Sequence, residues 1–200
     1  MTTVTTRPPS VLLATSLPTP AGLLGVVLDA DGTVRAAGFG PLDGVLARGR
    51  LTDGALEVRV VPPADLLDLP GPSAVVAAVE RYVAGEAGAL DAVPVRQPGG
   101  AFFQEVWRQM RHVPPGVTVS YTELAAAAGR PAAVRAAGSA CARNLVAPFV
   151  PCHRIVKSDG TLGGYAYGLD AKRALLAHER ASVPRSSPQL SSTEPGATPG

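Results

Sequence analysis

Two stretches of the chain gather side chains able to do covalent chemistry. The segment Asn144–Val156 reads Asn-Leu-Val-Ala-Pro-Phe-Val-Pro-Cys-His-Arg-Ile-Val, so the Cys152 thiol follows Pro151 and precedes His153 and Arg154. Cationic neighbours favour the thiolate, the nucleophilic form, which makes Cys152 a candidate nucleophile. In Leu169–Arg180, Leu175 and Leu176 stand four and three residues before Glu179 and lean that carboxylate toward an apolar helix face. A buried carboxylate needs a partner, and a histidine supplies one. The alternative is an exposed Glu179 paired with Arg180 or Lys172. Cys141 reads as a small buried hydrophobe. A zinc site from Cys141, Cys152, His153 and His178 would lack ligands paired a few residues apart, so no metal is expected.

A third stretch offers surface rather than chemistry. Ala132, Ala133, Ala136, Ala137, Gly138, Ser139 and Ala140 leave Arg135 and Arg143 as the long side chains of one helix. Alanine is a good helix former, which alone accounts for the composition. Small side chains also let a backbone come close to a partner. A helix reading base edges in the major groove presents polar groups; this one would read shape, in the minor groove.

These groups need elements to hold them. Val11–Ser16, Gly22–Asp29, Thr33–Phe39 and Leu56–Val61 read as strands of an antiparallel sheet, with Asp31-Gly32 as a hairpin turn. Ser73 is placed to cap a helix over Ala74–Ala84, with Val75, Val76, Val79 and Val83 on one face. No nucleophile, base and acid cluster in residues 1–90, which read as a scaffold. After Pro94–Gly100 comes a helix, Phe102–Arg111, with Phe102, Val106 and Met110 on one stripe. Val117–Val119 is a short extended piece. Ser120 and Glu123 form a capping box for a helix ending at Gly129, and Pro131 is suited to start a second helix through Ala142. Two short helices about a glycine turn make a helix-turn-helix candidate. The domain reading is a loose tail (1–10), an N-terminal α/β scaffold (11–95), a C-terminal functional domain (100–181) and a second loose tail (182–200).

Composition narrows the class. The chain has 200 residues, 46% hydrophobic and 17% charged, enough apolar content for a core. No apolar run is long enough to span a membrane, and the start lacks the pattern of an export signal, so a cytoplasmic protein with no membrane partner is expected. Two cysteines make no disulfide framework. The net charge of +2 hides an asymmetry. Residues 1–100 carry seven arginines against ten carboxylates, a net of −3; residues 101–200 carry nine arginines and two lysines against six carboxylates, a net of +5. The basic half suits an anionic partner.

Pro151-Cys152-His153-Arg154-Ile155-Val156 resembles the active-site signature of the O6-alkylguanine-DNA alkyltransferases. Tyr121, Arg135 and Asn144 lie 31, 17 and 8 residues before Cys152, and Glu179 lies 27 after it, as that family's pattern asks. The motif likeness spans residues 100–180. It implies an α/β (α+β) protein: a small ribonuclease-H-like mixed domain, then a mostly helical domain holding the cysteine. It further implies a monomer that needs no cofactor and acts on double-stranded DNA carrying O6-alkylguanine, with O4 of thymine as a second target. Cys152 would take the alkyl group once, with His153 and Glu179 as a deprotonating relay and Tyr121 donating a proton to the departing base. Asn144 would hold the turn. Arg135 would fill the stack after base flipping, on a DNA-facing surface with Tyr121, Ala136, Gly138 and Arg143. Val150, Pro151, Ile155, Tyr165 and Ala166 match the positions around the guanine pocket. Leu145 and Ala147 stand where relatives often have proline, and Ala166 where a hydroxyl residue is common. A helix-turn-helix regulator without chemistry, or a cysteine hydrolase, are the other readings of these residues.

Overall fold

The computed structural model describes residues 11–51 and 56–182. The N-terminal tail expected over 1–10 lies outside the described residues. Of the C-terminal tail only Ser182 is described, and it closes a helix.

Strands β1 (Val11–Thr19), β2 (Gly22–Leu28), β3 (Val34–Phe39) and β4 (Glu57–Val60) form one sheet in the order β3-β2-β1-β4. The first three make an antiparallel meander, whereas β4 runs parallel to β1 from Val11↔Glu57 to Ala14↔Val60. The expected antiparallel sheet is therefore mixed. Its cause is a helix the sequence reading did not place, α1 (Leu42–Arg48), which lies in the crossover that carries the chain to the far edge. Leu42, Val45 and Leu46 hold α1 against Leu12, Ala14, Val27 and Ala36 on one sheet face. On the other face Leu24, Val26, Leu28 and Val34 join Val75, Val76 and Val79 of α2 (Pro70–Val83). With both faces covered, the strands read as nearly unbroken apolar runs.

Helix α2 starts earlier than a Ser73 cap predicts. Pro70 and Pro72 sit in its first turn, where the missing N–H is no loss, and the Ser73 hydroxyl donates to Pro70 O at 3.1 Å. Val83, expected on the buried stripe, is exposed, and Tyr82 is buried instead.

In the second half α3 (Ala101–Arg111) buries Val106, Trp107 and Met110. Strands β5 (Val119–Ser120) and β6 (Ile155–Val156) pair in parallel. Helix α4 (Tyr121–Ala127) opens on the expected capping box: Glu123 N donates to Ser120 Oγ at 3.2 Å, and Ser120 N to Glu123 Oε2 at 2.8 Å. Helix α5 (Val134–Ala142) begins later than Pro131, because Pro131 and Ala132 are still inside a turn closed by Ala133 N donating to Arg130 O at 2.8 Å. Trp107 Nε1 donates to Ala140 O at 2.9 Å and locks α3 to α5. Helix α6 (Leu169–Ser182) completes the chain described.

The halves share one core: Leu24, Val26 and Val79 belong to the same apolar cluster as Val106, Ala137, Phe149 and Leu175. The outer edge of β3 is paired by later chain: Val34 N donates to Pro94 O at 2.9 Å and Arg96 N to Val34 O at 2.9 Å within the first hundred residues, and Ala37 N donates to Leu145 O at 2.7 Å, the one of these three bonds that joins the halves. The α+β class is as the sequence implies.

Candidate active site

Cys152 opens a short 3-10 turn, Cys152–Arg154, that leads into β6. Its side chain is 8% exposed. The Asn144 amide nitrogen donates to Val150 O at 2.7 Å and to Cys152 Sγ at 3.2 Å, which fixes the sulfur and favours its anion. Asn144 Oδ1 in turn accepts from Val146 N at 3.2 Å and from Gln97 Nε2 at 3.1 Å. Leu145 N donates to Gln97 Oε1 at 2.7 Å, a bond that a proline at this position would forbid. Gln97, unnoticed in the sequence, thus braces the turn from the other half of the molecule. The neighbouring Ala147–Pro148 peptide is cis.

The expectation that adjacent cations favour the thiolate does not hold. His153 and Arg154 turn away from the sulfur toward Glu179, and burial pushes the Cys152 thiol up, against the Asn144 hydrogen bond and the charges of Lys172 and Arg48. At neutral pH the thiol is protonated and needs a base.

The residue that follows, His153, is the candidate base. His153 Nε2 lies 2.8 Å from Glu179 Oε1, and both side chains are fully buried. Arg154 donates through Nε to Glu179 Oε2 at 3.0 Å and through Nη2 to Oε1 at 2.9 Å. Tyr82 Oη and Gly116 N each add a bond at 3.3 Å. Burial alone would raise the Glu179 carboxyl, but the hydrogen bonds and charges of His153 and Arg154 hold it down at about 2. An anionic Glu179 can only accept, so His153 Nε2 carries the hydrogen. Nδ1 is left as the basic nitrogen, buried and with no hydrogen-bond partner among the described residues. Burial lowers His153 below the ordinary imidazole range, which keeps this ring neutral and able to accept a proton.

Cys152 borders a cavity of about 480 Å³, together with Arg48, Tyr121, Gly138, Cys141, Ala142, Gly164, Tyr165 and Ala166. Small-ligand sites span roughly 300–1,000 Å³, so the space suits one small ligand. Tyr121 enters from the start of α4, and Gly138, Cys141 and Ala142 come from α5. A Cβ at Gly163 would stand 2.5 Å from Tyr121 Oη, so glycine lets the loop pass the phenol. Burial and the nearby thiols raise Tyr121 to about 12, which leaves it a proton donor at neutral pH. Cys141, read from sequence as a buried hydrophobe, is only partly buried and lines this cavity.

The remaining candidates fall in two groups. Tyr165 and Ala166 border the cavity, the Tyr165 ring standing edge-on to His153 at 6.5 Å. Val150, Pro151 and Ile155 are buried beneath the site, outside the cavity lining. On α5 Arg135 is exposed, Ala136 and Gly138 are partly so, and Gly138 packs under the Tyr121 ring. Arg143 follows α5 and lies over the Phe103 ring at 5.6 Å. Among the described residues no cluster of three or more metal-ligating side chains occurs.

Three further residues reach the site unannounced by their local sequence. Lys172 is fully buried on α6, where its ammonium donates to Ile155 O at 2.6 Å and Gly163 O at 3.3 Å, tying the cavity loop to β6. Its place on the helix face of Leu175, Leu176 and Glu179 was the available signal. Tyr82 and Arg48 come from the first half, which is more than a scaffold: one supports Glu179 and the other borders the cavity.

Comparison with known proteins gives a consistent picture. Residues 101–181 match the family model for the 6-O-methylguanine DNA methyltransferase DNA-binding domain. A methylated-DNA–protein-cysteine methyltransferase from Salmonella typhimurium is 34% identical over 172 residues, covering 84% of this chain and 95% of that protein. The bifunctional transcriptional activator/DNA repair enzyme Ada of Escherichia coli is 52% identical over 87 residues, 44% of this chain, and the match spans only 25% of Ada. Among solved structures, Mycobacterium tuberculosis OGT in complex with DNA aligns with a TM-score of 0.64 at 28% identity, over 86% of this chain and 96% of that one.

Proposed function

The chain belongs to the methylated-DNA–protein-cysteine methyltransferase family, and from that membership we propose that it repairs DNA directly, moving an alkyl group from O6 of guanine to Cys152. One observation carries this reading: the cavity that holds the thiol is walled by the same helix pair, α4 and α5, that would lie on DNA.

The chemistry follows from the groups in place. The Cys152 proton passes to His153 Nδ1 through a water, while Glu179 stabilises the imidazolium that forms. Sulfur attacks the alkyl carbon, the S–C bond forms and the C–O6 bond breaks with its electron pair left on the base. Tyr121 donates a proton to that base. The product is a thioether, which a His–Glu relay does not hydrolyse, so each chain acts once. O4-alkylthymine offers the same carbon–oxygen bond and is a second substrate.

A lesion stacked in a duplex cannot reach a thiol that is 8% exposed, so the nucleotide must leave the stack. Arg135, exposed on α5, fills the gap, and the partly exposed Ala136 and Gly138 let that helix enter the minor groove. Arg143 adds charge at the end of α5, and the +5 half of the sequence supplies the phosphate attraction.

Duplex DNA carrying methyl-labelled O6-methylguanine tests this. Label on protein is expected to saturate at about one methyl per chain, on Cys152. Repeated turnover would identify a hydrolase, and binding without transfer would identify a regulator.

A further inference from the structure

We propose that Arg48, contributed by α1, is a positioning residue for the nucleophile: it ties the end of α5 and the Asn144 turn to the Tyr167 ring, and presents its charge to the cavity that holds Cys152. The inference deepens the alkyl-transfer reading and rests on it for the reaction concerned.

Arg48 makes three attachments at once. Its Nη2 donates to Ala142 O at 2.5 Å, the last residue of α5, and to Asn144 O at 3.4 Å. Its guanidinium lies over the Tyr167 ring at 5.7 Å. Carbonyls at the end of a helix carry the negative end of its dipole, so Ala142 O is a favourable place for a cation. Asn144 is the residue whose amide holds Cys152 Sγ, so the backbone that Arg48 grips is the backbone that aims the sulfur.

Tyr167 makes the arrangement rigid. Its hydroxyl donates to Ala37 O on β3 at 3.1 Å, and its ring stands edge-on to Phe39 at 5.6 Å and to Tyr165 at 5.5 Å. A Cβ on Gly38 would collide with the Tyr167 hydroxyl, so glycine makes room for this contact. A planar guanidinium can fork between two carbonyls and stack on a ring together; a lysine ammonium cannot.

The charge has a use in the reaction. Negative charge begins on sulfur and ends on the departing base, and both lie in the cavity that Arg48 borders. The other groups facing the thiol are the Asn144 amide, Lys172 from α6, Tyr121 from α4, Cys141 from α5, and Tyr165 and Tyr167 from the cavity loop. Of these, Lys172 is committed to two carbonyls beneath the loop, whereas Arg48 lines the cavity itself.

The test follows alkylation of Cys152 by iodoacetamide against pH in the full-length protein, with the modified cysteine located by peptide mass. Methyl transfer from duplex is measured on the same variants. Arg48→Leu is expected to raise the alkylation midpoint by about one pH unit and to slow transfer by about tenfold. Arg48→Lys is expected to restore the midpoint but not the full rate. If Arg48→Leu does not fold, Arg48→Gln makes the same comparison. An unchanged midpoint on loss of the charge overturns the proposal, whatever happens to the melting temperature. Alkylation needs no DNA, so a chain that transfers no methyl overturns the repair reading while leaving the role of Arg48 at the thiol measurable.

Discussion

His153 Nε2 and Glu179 Oε1 lie 2.8 Å apart inside a fully buried cluster, and Arg154 grips the other flank of the same carboxylate. Glu179 therefore neutralises a buried arginine as well as orienting a histidine. Glu179→Gln is expected to lose transfer and also to lower unfolding free energy by about 3–5 kcal/mol, because Arg154 is left buried and unpaired. Denaturant melts check this. A variant as stable as the parent would show that the ion pair contributes little.

The same cluster sets the acid limit. Glu179 is held at about 2 against an ordinary 4.5, so its stabilisation is complete above about pH 4.5 and is lost as pH falls toward 2. His153, lowered from 6.5 by burial, adds a loss that begins below about pH 6.5, where the unfolded chain takes up a proton and the folded one resists. The melting temperature is expected to fall continuously from pH 7 to pH 3. A melting temperature that rises on acidification would contradict both assignments.

Cys141→Ala is expected to leave methyl uptake at about one per chain. Cys141 shares the cavity, but the Asn144 amide hydrogen bond goes to Cys152. Label counting on this variant and on Cys152→Ala, which should take up none while still binding DNA, separates the two thiols.

Arg135→Ala is expected to slow repair of duplex more than repair of free O6-methylguanine, since only the duplex demands extrusion. Equal losses on the two substrates would remove the stacking role.

Gly38→Ala is expected to cost about 1–3 kcal/mol, because the new Cβ meets the Tyr167 hydroxyl. Gly44→Ala, on α1 with open space at its Cβ, should instead be neutral or stabilise by up to about 1 kcal/mol. Paired urea melts compare them.

The reach of the sequence follows how local each feature is. Cys152, His153 and Glu179 were legible because a motif and a helical spacing announce them, and the Ser120–Glu123 cap because it closes within one turn. Helix α1 was not, being seven residues long with Gly44 inside it. The start of α2 depended on two prolines outweighing a serine. The parallel β4 followed from the unseen α1. Arg48, Tyr82 and Gln97 acquire their roles from approaches across 94, 97 and 47 residues of chain, and no local pattern marks them.

The fastenings at the outer edge of β3 bear on the wall of the cavity. One backbone hydrogen bond, from Ala37 N to Leu145 O, and the Tyr167–Ala37 contact fasten the halves together along that edge. The loop that brings Gly164, Tyr165 and Ala166 to the cavity is pinned by Lys172 at Gly163 on one side and by Tyr167 on the other. One wall of the cavity is thus a short span held between two fastenings, one to each half of the chain.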